Sequence, residues 1–237
     1  MTSFVKEKNI LLNLIIKPTL NWRDDINNLT ILGITELALS FDSLTIDQRR
    51  EVYRLLEPIG LKSIPLVHIT SDFESWELDY LATTYKTNLF SLTTDNKALL
   101  FITSSVDYVE NIILENPTTT KFSSLFTDET LTHALVSGIC LDLKVLEQNR
   151  RSNKKKYQTT IHVFDHHPLK ATFIGPISNH WYKNLFNPKN ITLSSLTELS
   201  YLKNIPTTYF AETIIINCDN SLEEQIEIKK YLKDFIK

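Results

Sequence analysis

The chain has 237 residues, 42% of them hydrophobic, which is enough for one large α/β domain or two small ones. Its formal net charge is -3, so it lacks the basic field that non-specific nucleic-acid binding needs, and we expect no nucleic-acid partner. The apolar stretch at 10–16 is far shorter than the roughly 20 residues of a membrane-spanning helix. We interpret it as a first strand and expect no membrane partner.

Eight apolar, β-branched runs follow one another along the chain and predict eight strands. They lie at 9–16, 34–41, 63–70, 88–94, 111–116, 138–143, 160–165 and 209–217. Segments with apolar residues three and four positions apart predict helices between them, at 45–59, 74–85, 128–137 and 221–236. Gly33, Gly60 and Gly138 each precede a strand run, in the position where glycine commonly ends a helix.

Strands that alternate with helices are parallel, and eight such units predict a (β/α)8 TIM barrel, with residues 1–237 as a single domain. A doubly wound nucleotide-binding sheet is disfavoured, because neither GxGxxG nor GxxxxGK[ST] occurs. The polar segment 147–158 falls inside the sixth unit and is read as a solvated helix end, with an anion-binding patch as the alternative.

Cys140 and Cys218 both lie in apolar strand-like runs, and they form no closely spaced pair of the metal-binding type. Buried free thiols are therefore expected at both positions. Free thiols fit a reducing compartment, so a cytoplasmic location is predicted.

Polar residues recur near the ends of the predicted strands, where barrel enzymes carry their chemistry. They are His68, Glu115, Asp142, His162 with Asp165, and Glu212. A carboxylate is rarely buried unless it is paired or bound to a cation, so this set could hold one divalent metal ion. Each residue taken alone could instead cap a helix or pair with a neighbour. The site hypothesis depends on their equivalent positions in successive units.

The chain resembles the xylose isomerase-like TIM barrels, which include sugar phosphate isomerases and epimerases and, more distantly, endonuclease IV. Short motifs carry the resemblance: Gly33 with Glu36 and Leu37 in the second run, Glu115 ending the fifth, Asp142 in the sixth, His162-x-x-Asp165 in the seventh, and Glu212 in the eighth. The likeness extends over nearly the whole chain.

This resemblance implies that Glu115, Asp142, His162 and Glu212 bind one divalent cation. Mn²⁺ or Mg²⁺ is favoured for such a donor set, with Zn²⁺ or Co²⁺ as alternatives. Glu115 and Glu212 would be the catalytic acid/base groups on opposite sides of a substrate carbon. His68, Asp165 and His166 are predicted to bind the substrate. The implied function is an isomerase or epimerase that acts on a sugar, sugar phosphate or related polyol through an enediolate.

The sequence also departs from this pattern and leaves alternatives open. Many family members have a histidine three residues after the sixth-strand aspartate, where this chain has Val145. A degenerate barrel that serves as a binding or partner protein is therefore a rival hypothesis. A phosphodiesterase like endonuclease IV is disfavoured, because only six histidines are available for its three zinc ions. The long connection 166–190 is predicted to be a lid or a substrate wall. The sequence does not indicate the oligomeric state.

Overall fold

The structure is a computed structural model that describes residues 7–94, 97–116, 127, 136–177 and 192–236. It contains nine short strands, all paired in parallel. These are β1 (Asn9–Leu11), β2 (Asn13–Ile16), β3 (Ala38–Phe41), β4 (Leu66–Ile69), β5 (Leu89–Leu92), β6 (Ile112–Glu115), β7 (Gly138–Asp142), β8 (Leu169–Ile174) and β9 (Thr213–Ile216).

The sheet curls into a nearly closed barrel. Its strand order is β1-β9-β8-β7-β6-β5-β4-β3-β2, so β1 and β2 lie at opposite ends of that order. Only Leu12 separates β1 from β2 in the chain, and Leu11 pairs with Ile215 while Asn13 pairs with Ala38. One stretch of chain therefore joins the two ends of the sheet, which gives a TIM-barrel-like fold of the α/β class.

Helices connect the strands on the outside of the barrel. In the described part of the chain they are α1 (Trp22–Ile31), α2 (Ile46–Leu56), α3 (Ser75–Tyr85), α4 (Ala98–Ser104), α5 (Leu143–Ser152), α6 (Lys154–His166) and α7 (Leu222–Phe235). Short 3-10 turns occupy Glu57–Ile59, Val106–Asn111, Leu196–Asn204 and Thr207–Tyr209. Side-chain caps begin several helices, including the capping boxes of Thr45 with Gln48 and of Ser221 with Glu224. Among the described helices, none has the length and apolar character needed to cross a bilayer.

The core has two layers, because successive strand residues point to opposite faces. The larger apolar cluster lies between the strands and the helices and includes Leu14, Leu39, Val67 and Leu114. The smaller cluster contains the residues of the opposite strand face, which fill the inside of the barrel: Leu11, Ala38, Leu66, Ile113, Cys140, Ala171, Phe173 and Ile215. Cys140 and Cys218 are both free and buried, as predicted.

The prediction of a strand at 160–165 is wrong, because these residues lie in α6. Asn153 caps this helix through a hydrogen bond from the Lys156 N–H, and Pro168 follows its end. The partly buried side chains Tyr157, Ile161 and Phe164 recur at helical spacing and pack against the outer core. The strand at this point of the barrel is β8, which begins in the segment predicted to be a connection.

The other predicted strand runs each contain strand residues, and the helices predicted at 45–59, 74–85 and 221–236 are present as α2, α3 and α7. The polar segment 147–158 forms the end of α5 and the beginning of α6. Most of the predicted helix at 128–137, and residues 178–190 of the predicted lid, lie outside the described residues.

Candidate active site

A layer of polar side chains covers the apolar interior at the carboxyl ends of the strands. Each member stands two residues after an apolar residue that either belongs to the smaller cluster inside the barrel or packs against that cluster. Because strand side chains alternate between faces, each member points to the same side of the sheet as that apolar residue. The members are Asn13, Ser40, His68, Ser91, Glu115 and Asp142. We call this set the polar layer. In barrels of this architecture, this end carries the chemistry.

The strongest contact in the polar layer joins β4 to β6. His68 Nδ1 lies 2.6 Å from Glu115 Oε1 and 3.3 Å from the hydroxyl of Ser91 on the intervening strand. The side chains of His68 and Glu115 are only 18% and 9% exposed. Burial alone would lower the pKa of the His68 imidazole, but the nearby Glu115 carboxylate outweighs burial and raises this pKa above its usual value. The pair is therefore a partly buried contact in which an imidazole and a carboxylate can share a proton.

Asp142, at the end of the neighbouring strand β7, is fixed by its backbone and by its side chain. Its N–H donates to Asn116 Oδ1 at 2.6 Å, and its own Oδ1 accepts a hydrogen bond of 3.1 Å from the Val145 N–H, which caps α5. Burial raises the pKa of Asp142 to about 6, an effect that Lys144 opposes and Glu115 reinforces. Asp142 is thus a carboxyl group whose pKa lies close to neutrality, as acid/base catalysis requires.

Two lysines approach the same end of the barrel from other units. Lys17 follows β2 and forms an ion pair of 2.8 Å with Asp219, which follows β9, and both side chains are buried. Lys144 lies in the first turn of α5, and burial lowers its pKa while the carboxylates of Asp142 and Asp219 oppose that shift. Acidic and basic groups therefore alternate along this side of the barrel end.

Gly175 follows β8 and lies against the backbone that follows β9. A Cβ atom at Gly175 would stand 2.7 Å from the Asn217 carbonyl oxygen and 3.7 Å from Cδ of Lys144. The close approach of the Asn217 carbonyl therefore favours glycine at this position, and the Lys144 side chain lies at ordinary contact distance beside it.

A cleft of about 290 Å³ opens beside the polar layer, between the first turns of α1 and α7. Its lining includes Asn21, Asp24, Asp219 and Ser221, and it does not include His68 or Glu115. We place the site at the His68–Glu115 pair because the chemistry-bearing groups are there. The cleft meets the polar layer at Asn13, and Asp219, the partner of Lys17, also lines it.

The structure places the predicted site residues in three different regions. His68, Glu115 and Asp142 lie together at the carboxyl ends of the strands. Glu212 is exposed and immediately precedes β9, so it lies at the opposite, amino end of this parallel barrel. His162, Asp165 and His166 are exposed on α6, outside the barrel. The prediction that these last residues end a barrel strand is corrected accordingly.

The four residues implied to bind a divalent cation do not form one site. Glu115 and Asp142 share the barrel end, whereas the residues that follow the last two strands there are Gly175 and Asn217. Within the described part of the chain, no group of three His, Cys, Asp or Glu side chains is placed to hold one ion. The described donors therefore do not fit the implied metal set.

Several members of this site were missed by sequence reasoning: Asn13, Ser40, Ser91, Lys17, Lys144 and Asp219. A signal for the first three was present. Each stands two positions after an apolar residue, as His68 and Glu115 do, but an uncharged polar side chain is a weaker indicator of a site than a histidine or a carboxylate. The two lysines and Asp219 lie beyond the ends of the strands, where the alternation of strand side chains no longer predicts which way a side chain points.

Comparison with known proteins finds likeness in structure alone. No family model matches the sequence, and no curated protein matches it. Among solved structures, 24 chains match. One is the 3-keto-D-glucoside 4-epimerase YcjR from E. coli, with 11% identity, 95% of this chain and 100% of that chain covered, and a TM-score of 0.47.

Two further matches have quite different activities. Dihydropteroate synthase from Thermus thermophilus has 12% identity and a TM-score of 0.48, with 95% of this chain and 94% of that chain covered. A Rubisco-like protein from Rhodopseudomonas palustris has 11% identity and a TM-score of 0.43, with 90% of this chain and 60% of that chain covered. At these identities and TM-scores, the likeness carries no information on the reaction.

Proposed function

We propose that this protein is an isomerase or epimerase that acts on a sugar, sugar phosphate or related polyol by proton transfer through an enediolate. The observation that carries the proposal is the 2.6 Å contact of the partly buried His68 with the buried Glu115 within the polar layer. Removing a proton from a carbon next to a carbonyl needs a positioned base that is shielded from water, and this pair has both properties.

The roles follow from the positions of the two carboxyl groups. Glu115 would take the proton from carbon while His68 holds the carboxylate in place. Asp142, on the adjacent strand, would return a proton or exchange it with a substrate oxygen, since its pKa is about 6. Asp142 thus takes the second acid/base role that the sequence assigned to Glu212, which lies at the other end of the barrel.

The fold supports this proposal, because its nine strands correspond to the eight strand positions of an enzyme barrel. β1 and β2 are separated only by Leu12, and counting them as one strand gives eight parallel strands, the number in a (β/α)8 barrel, with the polar layer in the usual place of an active site. The divalent cation expected from the sequence has no part in these steps, because the described donors do not fit it. It stays a prediction that metal addition can test.

Hydrogen exchange tests the proposal without knowledge of the natural substrate. A panel of pentoses, hexoses and their phosphates is incubated with the protein in D₂O and followed by NMR, after EDTA treatment and again with Mn²⁺, Mg²⁺ or Zn²⁺. We expect deuterium at the carbon next to the carbonyl of at least one compound. Glu115→Gln should reduce that exchange by about 100-fold or more, as expected when a general base is lost.

Glu212→Gln is the matched control, since it makes the same substitution at an exposed site on the opposite end, and it should leave exchange unchanged. If no compound exchanges above the protein-free rate under any metal condition, the barrel is a binding protein and the proposal is wrong. A strict requirement for Mn²⁺ would instead show that donors outside the described residues complete a metal site.

A further inference from the structure

The cleft between α1 and α7 is lined by a buried side chain whose hydrogen bonding is incomplete. Asn13 lines this cleft and is only 1% exposed. Its Oδ1 accepts a hydrogen bond of 3.0 Å from the Ser40 hydroxyl, but its Nδ2 is buried and has no acceptor among the described residues. A buried donor without a partner is costly, so native proteins seldom keep one that neither water nor a ligand satisfies.

The groups around Asn13 are already satisfied and held in place. Gln225 on α7 accepts a hydrogen bond of 2.8 Å from the Asn13 N–H, and its Nε2 donates to the carbonyl oxygens of Asn13 and Asn220, both at 3.0 Å. The side chain of Asn220 bonds in turn to the N–H and the carbonyl of Leu193. The cleft therefore has a fixed polar lining, and the Nδ2 of Asn13 is left to a group from outside.

The charges at the cleft disfavour an anion as that group. Asp24, Asp25 and Asp219 line it, and none of its described lining residues is a lysine, an arginine or a histidine. Lys17 neutralises Asp219 at 2.8 Å. The pKa of Asp25 is raised by burial and by the carboxylates of Glu223 and Asp24. The first turns of α1 and α7 each contain two acidic residues, which offset the positive helix ends that could otherwise attract an anion.

A hydroxyl group matches both the unpartnered amide and the carboxylates. It accepts a hydrogen bond from Asn13 Nδ2 and donates one to a carboxylate, whereas an ammonium group or a metal ion cannot accept from an N–H. If the amide were turned over by 180°, its oxygen would be the unpartnered atom, and a hydroxyl would still satisfy it as a donor. The volume of about 290 Å³ is near the lower end for small-molecule sites.

The polar layer connects this cleft to the His68–Glu115 pair. Asn13 belongs to the cleft lining and to the polar layer, and its partner Ser40 is aligned with His68 on the neighbouring strand. A molecule whose reacting end lies at the pair could therefore extend along the layer toward Asn13.

We propose that the cleft binds hydroxyl groups of the substrate at Asn13 and thereby selects uncharged sugars or polyols over sugar phosphates. This inference rests on the proposed function and narrows its substrate class to the members without a charged group. The amide provides the hydrogen bond, and the carboxylates of Asp24 and Asp25 repel a phosphate.

The first test is a binding experiment that needs no activity. The protein is labelled with ¹⁵N in its asparagine side chains, and pentoses, hexoses, the corresponding polyols and their phosphates are added at constant ionic strength. The Asn13 amide signal, assigned by triple-resonance spectra and by its loss in Asn13→Leu, should shift saturably with at least one uncharged compound. The phosphate of that compound should bind at least about 10-fold more weakly, because like charges are brought together.

The control in the same spectra is Asn111, whose amide donates to the Asn88 carbonyl at the amino end of the barrel. Its signal should not shift saturably. If no compound of the panel shifts the Asn13 signal saturably, water alone satisfies this amide and the inference is wrong. The wild-type titration does not depend on the folding of Asn13→Leu.

A charge substitution tests the selection against phosphates. Asp25→Asn keeps the size of the side chain and removes a charge from the cleft, so it should narrow the affinity difference between a sugar and its phosphate by about 3-fold or more. Asp47→Asn makes the same substitution at an exposed position on α2 and should leave that difference unchanged. A phosphate that binds wild type as tightly as its parent sugar would overturn the selection.

The deuterium-exchange assay separates this inference from the proposed reaction. Asn13→Leu should raise the half-saturating concentration of an uncharged sugar by about 3- to 10-fold, as expected for the loss of one hydrogen bond, with a smaller effect on exchange at saturation. A saturable Asn13 shift without exchange in the wild type means that the cleft is right and the reaction wrong. Exchange into sugar phosphates only, with no Asn13 shift, means the reverse.

Discussion

The imidazole of His68 and the carboxylate of Glu115 join two strands that are not neighbours in the barrel. Nδ1 and Oε1 are 2.6 Å apart, and Ser91 on the strand between them contributes a hydroxyl 3.3 Å from the same nitrogen. The contact ties two strands together on the inner face of the sheet, across the strand that carries Ser91. Such fixed geometry is what proton transfer requires.

The pair should make stability depend on pH. Because the pKa of His68 is raised in the folded protein, its stabilisation is fully present below the unfolded pKa of about 6.5 and is lost as pH rises through the folded value. We expect the difference in unfolding free energy between wild type and His68→Gln to shrink as pH rises above about 6.5. Urea denaturation measures it, and His166→Gln controls for the loss of an exposed histidine. A difference that grows with pH would contradict the pairing.

A second buried ion pair should matter for stability and not for the reaction. Arg49 on α2 donates to Glu77 on α3 through two nitrogens, at 2.8 and 2.9 Å, and the two side chains are 1% and 0% exposed. Removing one partner leaves a buried charge, so Glu77→Leu should cost about 3–5 kcal/mol of unfolding free energy.

The double variant Arg49→Met with Glu77→Leu removes both charges and should cost clearly less than the sum of the single substitutions. Urea denaturation of the three variants completes the cycle. Additive losses would mean that the two residues act independently.

The barrel could be predicted from the sequence because its strands are short apolar runs separated by capped helices. The β7 run ends in an aspartate and the β6 run ends in a glutamate, and these residues lie where the pattern placed them. The prediction of a strand at 160–165 was wrong for a physical reason. A short apolar run fits either a strand or one face of a helix, and Asn153 before it and Pro168 after it are the signals that distinguish the two.

Glu212 was placed in the last strand run, but a run longer than its strand does not reveal which end a residue occupies. The strand Thr213–Ile216 starts after this residue, which moves Glu212 to the opposite end of the barrel. The pairing of Lys17 with Asp219 could not be predicted at all, since it joins the first and last units through a closure of the sheet that sequence spacing does not encode.

The position of His162 on an outer helix predicts that it is dispensable. His162→Ala and Asp165→Ala should each change the unfolding free energy by no more than about 0.5 kcal/mol, as for most exposed substitutions. Exchange activity should stay at the wild-type level. Val163→Asp, at the buried position next to His162, should destabilise the fold by more than about 2 kcal/mol. If His162→Ala reduced deuterium exchange as strongly as Glu115→Gln does, the active site would not lie at the barrel end.

The ionised side chain of Asp142 should lower the unfolding free energy of the protein, although the proposed reaction needs this group. Its pKa is raised from 3.8 to about 6 in the folded protein, so the ionised side chain disfavours the fold. Stability linked to this group is full below the unfolded pKa and is lost as pH rises through about 6.

Asp142→Asn cannot ionise and keeps a side chain that caps helices well. At pH 8 it should therefore be more stable than wild type by about 1–3 kcal/mol, with the gain vanishing near pH 4. Deuterium exchange should fall in the same variant, because a group that returns the proton has been lost. Asp142→Ala removes the cap as well, so it should show a smaller gain at pH 8.

Urea denaturation at both pH values measures these differences in unfolding free energy. An Asp142→Asn variant less stable than wild type at pH 8 would show that the Asp142 carboxylate is stabilised by its surroundings. If Asp142→Asn is more stable and also loses deuterium exchange, Asp142 destabilises the fold and is needed for the reaction.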